Sequence, residues 1–200
     1  MSIRIMSVGV LVAVSISQAA SAGITAFSNA VLWNNFVTVQ SLVVAQENFS
    51  SYSGAYPSLT GSVGGVSWTA SASSGGVEVQ NGVLATDLAA PRTLTFTFGP
   101  GARAVGGNFF AVDSAFNVVP SIVQVSLANG FSYAGSSSSV SDFAGFLSTD
   151  SDITSITISV SGSGTIYAAA DNLSVGVVPA PGAIALLGAA GAAARRRRRD

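Results

Sequence analysis

Residues 93–98 have the sequence Thr-Leu-Thr-Phe-Thr-Phe, and residues 153–160 have the sequence Ile-Thr-Ser-Ile-Thr-Ile-Ser-Val. In both stretches large apolar side chains alternate with hydroxyl-bearing ones. A period of two is typical of a β-strand that buries one face and exposes the other to water. The two stretches therefore predict strands that each contribute one apolar face to a common hydrophobic core. The core residues that we expect are Phe96, Phe98, Phe109, Ile156, Ile158 and Val175.

Further strands are predicted on both sides of these two stretches. The hairpin signal Asn129-Gly130 and the turn Gly162-Ser163-Gly164 separate some of them. About ten short strands at regular spacing predict an all-β chain, folded as an antiparallel β-sandwich or jelly roll. The predicted strands span residues 41–49, 59–63, 66–71, 93–98, 104–112, 122–127, 131–134, 143–147, 153–160 and 165–175.

One short helix is expected before the first of these strands. Ser28 is the predicted N-cap of a helix over 29–37, because serine accepts a hydrogen bond from a free backbone N–H of the first turn. The spacing places Ala30, Trp33 and Val37 on one face, which we expect to pack on the sandwich.

The composition restricts the function. Only 8% of the 200 residues are charged, against roughly a quarter in an ordinary protein, and Lys, His and Cys do not occur. Between the chain ends there are eight acidic residues and only two basic ones, Arg92 and Arg103, so the body is acidic. Such a body repels nucleic acid and attracts cations. Nucleic acid is therefore not an expected partner.

Catalysis has few possible residues in this sequence. Without His, Cys or Lys, a serine triad, a thiol nucleophile, a Schiff base or an ordinary zinc site cannot be assembled. A pair of carboxylates is the remaining route, as in a glycan hydrolase. Asp150 and Asp152 come closest, but Ser148–Asp152 is interpreted as a polar turn. We expect a protein that is not an enzyme; a secreted carboxylate-dependent glycan hydrolase is the alternative.

The first 22 residues have the order of features of a secretory signal peptide. Arg4 supplies the positive charge, residues 6–16 are apolar, and Ala20-Ser21-Ala22 is a cleavage pattern of small residues. We expect signal peptidase to cut after Ala22, so that an exported chain begins at Gly23.

The C-terminal end is a second segment of unusual composition. Val178-Pro179-Ala180-Pro181-Gly182 breaks regular structure, and residues 183–194 are uniformly apolar. Twelve residues form a helix of about 18 Å, shorter than a hydrocarbon core of about 30 Å. We expect a short apolar helix in the precursor that contacts the membrane transiently. The chain then carries a basic cluster, Arg195, Arg196, Arg197, Arg198 and Arg199.

This three-part tail over residues 178–200 resembles the PEP-CTERM sorting signal of bacterial exported proteins. Pro179, Pro181 and Gly182 match its Pro-Glu-Pro-Gly motif, and Ala180 replaces the usual glutamate. The resemblance implies that an exosortase-like membrane enzyme recognises and processes the chain. It also implies a structural protein of the bacterial cell envelope, cell surface or extracellular matrix. The chain length and the lack of a visible internal boundary predict a single folded domain over residues 23–177.

The body is similar to the jelly-roll carbohydrate-binding modules found in related exported proteins. Four segments carry this resemblance: 47–49, 106–110, 143–146 and 171–173. Core packing alone also accounts for their aromatic residues. The resemblance implies weak binding of an extracellular polysaccharide, and a structural calcium ion between Glu47 and Asp171, whose carboxylates are ligands of the kind that calcium prefers.

Sugar binding would need exposed aromatic rings, and the sequence contains few of them. Trp68 alternates with Val66 and Ala70 and is therefore expected in the core. The aromatic residues considered for stacking on sugars are Tyr52, Tyr56, Trp68, Tyr133 and Tyr167.

Overall fold

The computed structural model describes residues 23–179. The expectations for the signal segment, including Ala20 and Ala22, and for the sorting residues from Ala180 to Arg199 lie outside the described residues. Fifteen strands and one helix follow one another along the described chain. They are β1 (Ile24–Phe27), α1 (Ala30–Val39), β2 (Val43–Glu47), β3 (Gly54–Tyr56), β4 (Leu59–Val63), β5 (Val66–Ala72), β6 (Val77–Gln80), β7 (Val83–Thr86), β8 (Leu94–Phe98), β9 (Ala102–Val112), β10 (Val118–Val119), β11 (Ser121–Leu127), β12 (Ser132–Ser137), β13 (Phe143–Ser148), β14 (Ser155–Ser161) and β15 (Tyr167–Val177).

The strands form two antiparallel sheets packed face to face, which confirms the predicted sandwich. Sheet A has nine strands in the order β1-β13-β9-β15-β7-β6-β3, with β10 beside β9 and β2 beside β15. Sheet B has six strands in the order β12-β11-β14-β8-β5-β4. In sheet A, β15 pairs with β9 along one edge and with both β7 and β2 along the other.

The main core lies between the sheets. All six residues predicted for it are buried, including Phe96 from sheet B and Phe109 from sheet A. Trp68 is also in this core, as expected, with its ring centroid 5.6 Å from that of Phe49 and 6.2 Å from that of Phe96. The alternating stretches that predicted the fold form β8 and β14, which are neighbours in sheet B.

Sheet A is also covered on its outer face. Trp33 and Val37 of α1 pack there against Ala104 and Leu147. Another outer cluster contains Phe110, which is fully buried and packs with residues of β7, β9 and β15. Phe109 therefore faces the main core and Phe110 faces this outer cluster, because consecutive residues of a strand point to opposite faces.

The helix was predicted with a small error at its start. Asn29, rather than Ser28, is the N-cap, and its Oδ1 accepts a hydrogen bond of 3.0 Å from the Leu32 N–H. Asparagine and serine are about equally good caps, so the sequence did not separate them. Trp33 and Val37 are buried as predicted, whereas Ala30 is exposed.

Five strands were missed: β1, β3, β6, β7 and β10, all of two to four residues. Strands this short contain too few residues for alternation to stand out. The β6–β7 hairpin nevertheless carries a strong signal. Its two-residue loop is Asn81-Gly82, and both residues have positive φ, 53° and 81°, as a type I′ turn requires.

Candidate functional site

A groove lies on the outer face of sheet A, between α1 and strands β2, β9, β13 and β15. Its volume is about 420 Å³, which falls within the range of about 300–1,000 Å³ usual for small-molecule sites. No side chain that lines this α1 groove is charged, so the groove is suited to a neutral polar ligand. Its lining residues are Ala30, Trp33, Asn34, Val44, Gln46, Asn108, Phe143, Asn172 and Ser174.

A β-bulge in β15 places Asn172 in the α1 groove. Asp171 pairs with Asn108 and Ser174 pairs with Gly106, so β15 has one residue more than β9 over this interval. Asn172 has φ of 53°, a left-handed conformation that asparagine adopts more readily than most residues. Its Nδ2 donates to Asn108 Oδ1 and to Asp171 Oδ2, both at 3.1 Å. These bonds hold the amide in one orientation.

Two aromatic rings form the apolar side of the α1 groove. The ring centroids of Trp33 and Phe143 are 5.7 Å apart, and Trp33 Nε1 donates to the Phe146 carbonyl oxygen at 3.1 Å. Both rings lie over glycines. A Cβ at Gly145 would come within 2.6 Å of Trp33 Cδ1, and one at Gly106 within 2.7 Å of Phe143 Cζ. The absence of these two side chains therefore lets the rings lie against the sheet.

Most of the other residues that line the α1 groove are polar. Asn34 on α1 and Gln46 on β2 are exposed, and within residues 23–179 their side-chain amides make no hydrogen bond. Ser174 is buried, and its Oγ donates to the Asn172 carbonyl oxygen at 3.2 Å. The α1 groove therefore combines two free amides with an ordered pair, Asn108 and Asn172, which can each accept or donate further hydrogen bonds.

Asp171 supports this arrangement without lining the α1 groove. Its Oδ1 accepts a hydrogen bond of 2.6 Å from the Asn172 N–H, while its Oδ2 accepts from the Asn172 side chain. Burial raises the pKa of the Asp171 carboxyl above its ordinary value, and the backbone hydrogen bond from Asn172 only partly opposes that effect. Asp171 therefore stabilises the bulge by accepting hydrogen bonds from the backbone and the side chain of Asn172.

The residues proposed for calcium, Glu47 and Asp171, lie on the neighbouring strands β2 and β15. Glu47 Oε1 accepts a hydrogen bond of 2.8 Å from the Phe49 N–H. Strand alternation points Glu47 to the same side as Ala45, away from Gln46 and the α1 groove. No group of three or more acidic residues in the described part of the chain is arranged to hold a metal. This placement does not favour a shared ion, and calcium binding stays a prediction.

The carboxylates considered for catalysis lie in a loop, as the sequence indicated. Asp150 and Asp152 are both exposed between β13 and β14. Asp152 Oδ2 accepts a hydrogen bond of 2.7 Å from the Gly101 N–H, and Asp150 Oδ1 accepts one of 2.9 Å from Thr149 Oγ1. Each carboxylate therefore accepts a hydrogen bond from within the protein.

Two further acids stabilise loops. The Ser138 N–H, with further bonds from Ser139 and Ser137, lowers the pKa of Asp142 below its ordinary value. Asp113 accepts backbone hydrogen bonds from Asn117 and Ala115, and the bond from Asn117 is the main reason that its pKa is lowered. Both carboxyl groups are therefore ionised at neutral pH.

A smaller cavity of about 80 Å³ brings three acids near one another on the same outer face. Glu78, Asp87 and Asp113 line it together with Tyr167. This volume is well below the range of about 300–1,000 Å³ usual for small-molecule sites. It is too small to enclose a sugar ring.

The aromatic residues proposed for sugar stacking are dispersed. Tyr52 packs against Trp68 with ring centroids 6.0 Å apart, and the Tyr56 hydroxyl donates to the Ser53 carbonyl oxygen at 2.9 Å. Tyr133 and Tyr167 line separate small cavities. None of the four tyrosines lines the α1 groove, whose rings come from Trp33 and Phe143.

The four segments that carried the resemblance to carbohydrate-binding modules do converge. They lie on β2, β15, β9 and β13, which are successive neighbours in sheet A, and Asn108 pairs with both Phe143 and Asp171. The sequence did not single out Asn34, Gln46 or Ser174. The one local feature that could have pointed to these positions is an uncharged polar side chain within an apolar stretch.

Comparison with protein-family models, curated proteins and solved structures finds no match to this chain. No helix within residues 23–179 is both long enough and apolar enough to cross a membrane.

Proposed function

We propose that the protein is an exported, non-enzymatic β-sandwich of the bacterial cell surface or extracellular matrix, which binds neutral carbohydrate through the α1 groove. One observation carries the carbohydrate proposal: uncharged amides and a hydroxyl line this groove together with the rings of Trp33 and Phe143. The export proposal rests on the sequence features of residues 1–22 and 178–200.

The chemistry of the α1 groove fits a sugar. Each sugar hydroxyl both donates and accepts hydrogen bonds, and so do the side-chain amides of Asn34 and Gln46. Asn172 offers its Oδ1 as an acceptor, because its Nδ2 already donates to Asn108 and Asp171. The C–H face of a pyranose is apolar and packs well on an aromatic ring such as that of Phe143. Because the lining has no cation, it offers no ion-pair partner to a uronic acid, a sulfate or a phosphate. A neutral polysaccharide is therefore the proposed ligand.

Hydrolysis of a glycan has less support than binding. That reaction needs two carboxyl groups across the scissile bond, one of them protonated because its pKa is raised. Asp171 has a raised pKa, but no carboxyl group lines the α1 groove. Asp113 and Asp142 have lowered pKa values and are held by backbone N–H groups.

The proposed partners at the two ends are processing enzymes. Signal peptidase would cleave after Ala22, and an exosortase-like membrane enzyme would act at the Pro-Ala-Pro-Gly motif, 179–182. Intact-mass measurement of the protein from its native cell tests this part. We expect a chain that begins at Gly23 and lacks Arg195 to Arg199; an envelope form that keeps these arginines would contradict the processing.

Carbohydrate binding is tested by affinity electrophoresis of the full chain in gels that contain dextran, mannan or galactan, with alginate as an anionic polymer. We expect at least one neutral polymer to retard the protein and alginate to have no effect. Asn34→Ala and Gln46→Ala each remove a free amide of the α1 groove. Each should weaken binding about three- to tenfold, since a hydrogen bond contributes about 0.5–1.5 kcal/mol.

The chain supplies a matched control for each of these variants. Asn35 is the neighbour of Asn34 on α1 and Gln80 is on β6; both are exposed and neither lines the α1 groove. Asn35→Ala and Gln80→Ala should bind like the parent protein. Equal losses in the controls, or no retardation by any of the neutral polymers, would contradict the proposal.

A further inference from the structure

The side of α1 that faces away from sheet A is apolar. Val31, Leu32, Phe36 and Val39 are each more than half exposed. At 100° per residue these four positions fall within one arc of about 140°, which also contains exposed Asn35 and lies opposite buried Val37. We call these four side chains the apolar helix face. An exposed contiguous apolar surface of this kind usually marks a site of contact with another apolar phase or partner.

The described chain ends beside the C-terminal end of this helix. Val177 pairs with Val43, which follows α1 after only three residues, and both Val43 and Val178 are more than half exposed. Six of the nine large apolar side chains that residues 23–179 expose are therefore in α1 or next to its end. Five residues, 178–182, separate Val177 from the proposed membrane-contacting segment, 183–194.

Both ends of the described chain leave sheet A at the same side. Ile24 pairs with Ser148 at the start of β1, and Val177 pairs with Ala102 at the end of β15. Strands β1 and β15 are three positions apart in the sheet, which corresponds to roughly 14 Å at the usual strand spacing. The first and the last strand residues of the described chain, Ile24 and Val177, therefore lie at the same end of the sandwich.

We infer that the apolar helix face lies on the surface of a lipid bilayer while the C-terminal segment is held in that membrane. The spacer 178–182 reaches at most about 17 Å, so it keeps α1 close to the point where the apolar segment enters. A helix of ten residues is about 15 Å long, and an interfacial helix typically buries its apolar side about 5–10 Å deep. The inference rests on the proposed function in one respect, namely that the tail contacts a membrane.

Charge decides which bilayer the apolar helix face would prefer. Residues 23–46, which include the whole of α1, contain no charged side chain. The loop with Asp150 and Asp152 lies at the end where the chain leaves. Anionic headgroups therefore offer no attraction, so contact with a zwitterionic surface should be at least as strong.

The test uses the absence of cysteine from the sequence. Val39→Cys in the full chain is labelled with an environment-sensitive fluorophore and mixed with phosphatidylcholine vesicles, with and without a doxyl-labelled lipid as quencher. Val140→Cys is the matched control, because Val140 is an exposed valine before β13, at the other end of the sandwich. We expect vesicles to shift the Val39→Cys emission to the blue, the doxyl lipid to quench it, and the control to stay unchanged.

Leu32→Asn with Phe36→Asn in the same labelled chain should reduce this shift several-fold while the chain still sediments with vesicles. Sedimentation with vesicles but no shift at position 39 would overturn the inference and leave the proposed tail contact standing. Failure to sediment at all would count against the tail contact as well. A blue shift without lipid, lost when 183–194 is deleted, would show that the tail covers this face and would also overturn the inference.

Discussion

The two sheets differ in what they do with their outer faces. In sheet B the strands alternate strictly, so that Phe96 and Ile156 point into the core while Thr95 and Thr157 lie on the outer side. In sheet A the central strands β9, β13 and β15 are buried over most of their length on both faces. Their outer face is covered by α1 and by the cluster around Phe110, and it carries the α1 groove.

This difference explains where the proposed function is located. The outer face of sheet B is in contact with solvent, and threonine and serine side chains alternate with the buried residues along β8 and β14. A sheet buried on both faces must make room for what covers it, and sheet A does so with Gly145 and Gly106. The site that we propose arises where this covering is incomplete, between α1 and the bulge at Asn172.

The largest effect is expected in the core that the two sheets share. Phe96→Ala removes a fully buried ring that packs on Phe49 and Trp68, with centroid distances of 6.1 and 6.2 Å. The free energy of unfolding should fall by about 3–5 kcal/mol. Urea denaturation measures it, with Thr97→Ala at the exposed neighbouring position as control, expected within about 0.5 kcal/mol. A Phe96→Ala loss below 1 kcal/mol would mean that the sheets do not share this core.

An intermediate effect is expected on the outer face of sheet A. Gly145→Ala places a methyl group where Trp33 Cδ1 and a ring atom of Phe143 would be 2.6 and 2.7 Å away. Overpacking of this kind costs about 1–3 kcal/mol and should displace α1 from the sheet. Thermal melting measures the first effect, and a change in the tryptophan emission, to which Trp33 and core Trp68 both contribute, measures the second. The control is Gly162→Ala, where the added atom comes no closer than 3.3 Å to another. A melt and a spectrum unchanged by Gly145→Ala would mean that α1 does not pack as described.

The smallest effect is expected on the outer face of sheet B. The hydroxyls of Thr95 and Thr157 are 3.0 Å apart and form one hydrogen bond. Thr157→Val keeps the shape of the side chain and removes that bond, so we expect a loss of about 0.5–1 kcal/mol in urea denaturation. A loss as large as that of Gly145→Ala would contradict the contrast between the two outer faces.

Much of the fold was predictable because its signals are local. The alternation in 93–98 and 153–160 led to β8 and β14, and all six predicted core residues are buried. The missed strands are short. The hairpin at Asn81-Gly82 was the one strong local signal that the prediction overlooked.

The site was predicted less well, for a physical reason. The aromatic residues considered for stacking on sugars were four tyrosines and Trp68, yet the rings of the α1 groove come from Trp33 and Phe143. Whether a ring lines a groove depends on what lies above and below it. Here that is decided by Gly145 of β13, by Gly106 of β9 and by the position of α1.

The sequence by itself determined the all-β class, the core positions of the alternating strands, the acidic body without lysine, histidine or cysteine, and the unusual composition of both ends. These are properties of composition or of neighbours a few residues apart. Only the tertiary structure decided the α1 groove and the apolar helix face. The groove exists because the strand register sets Asn108 of β9 opposite Phe143 of β13 and Asp171 of β15, and because the bulge turns Asn172 beside them. These residues are tens of positions apart, and no local pattern encodes which of them will meet.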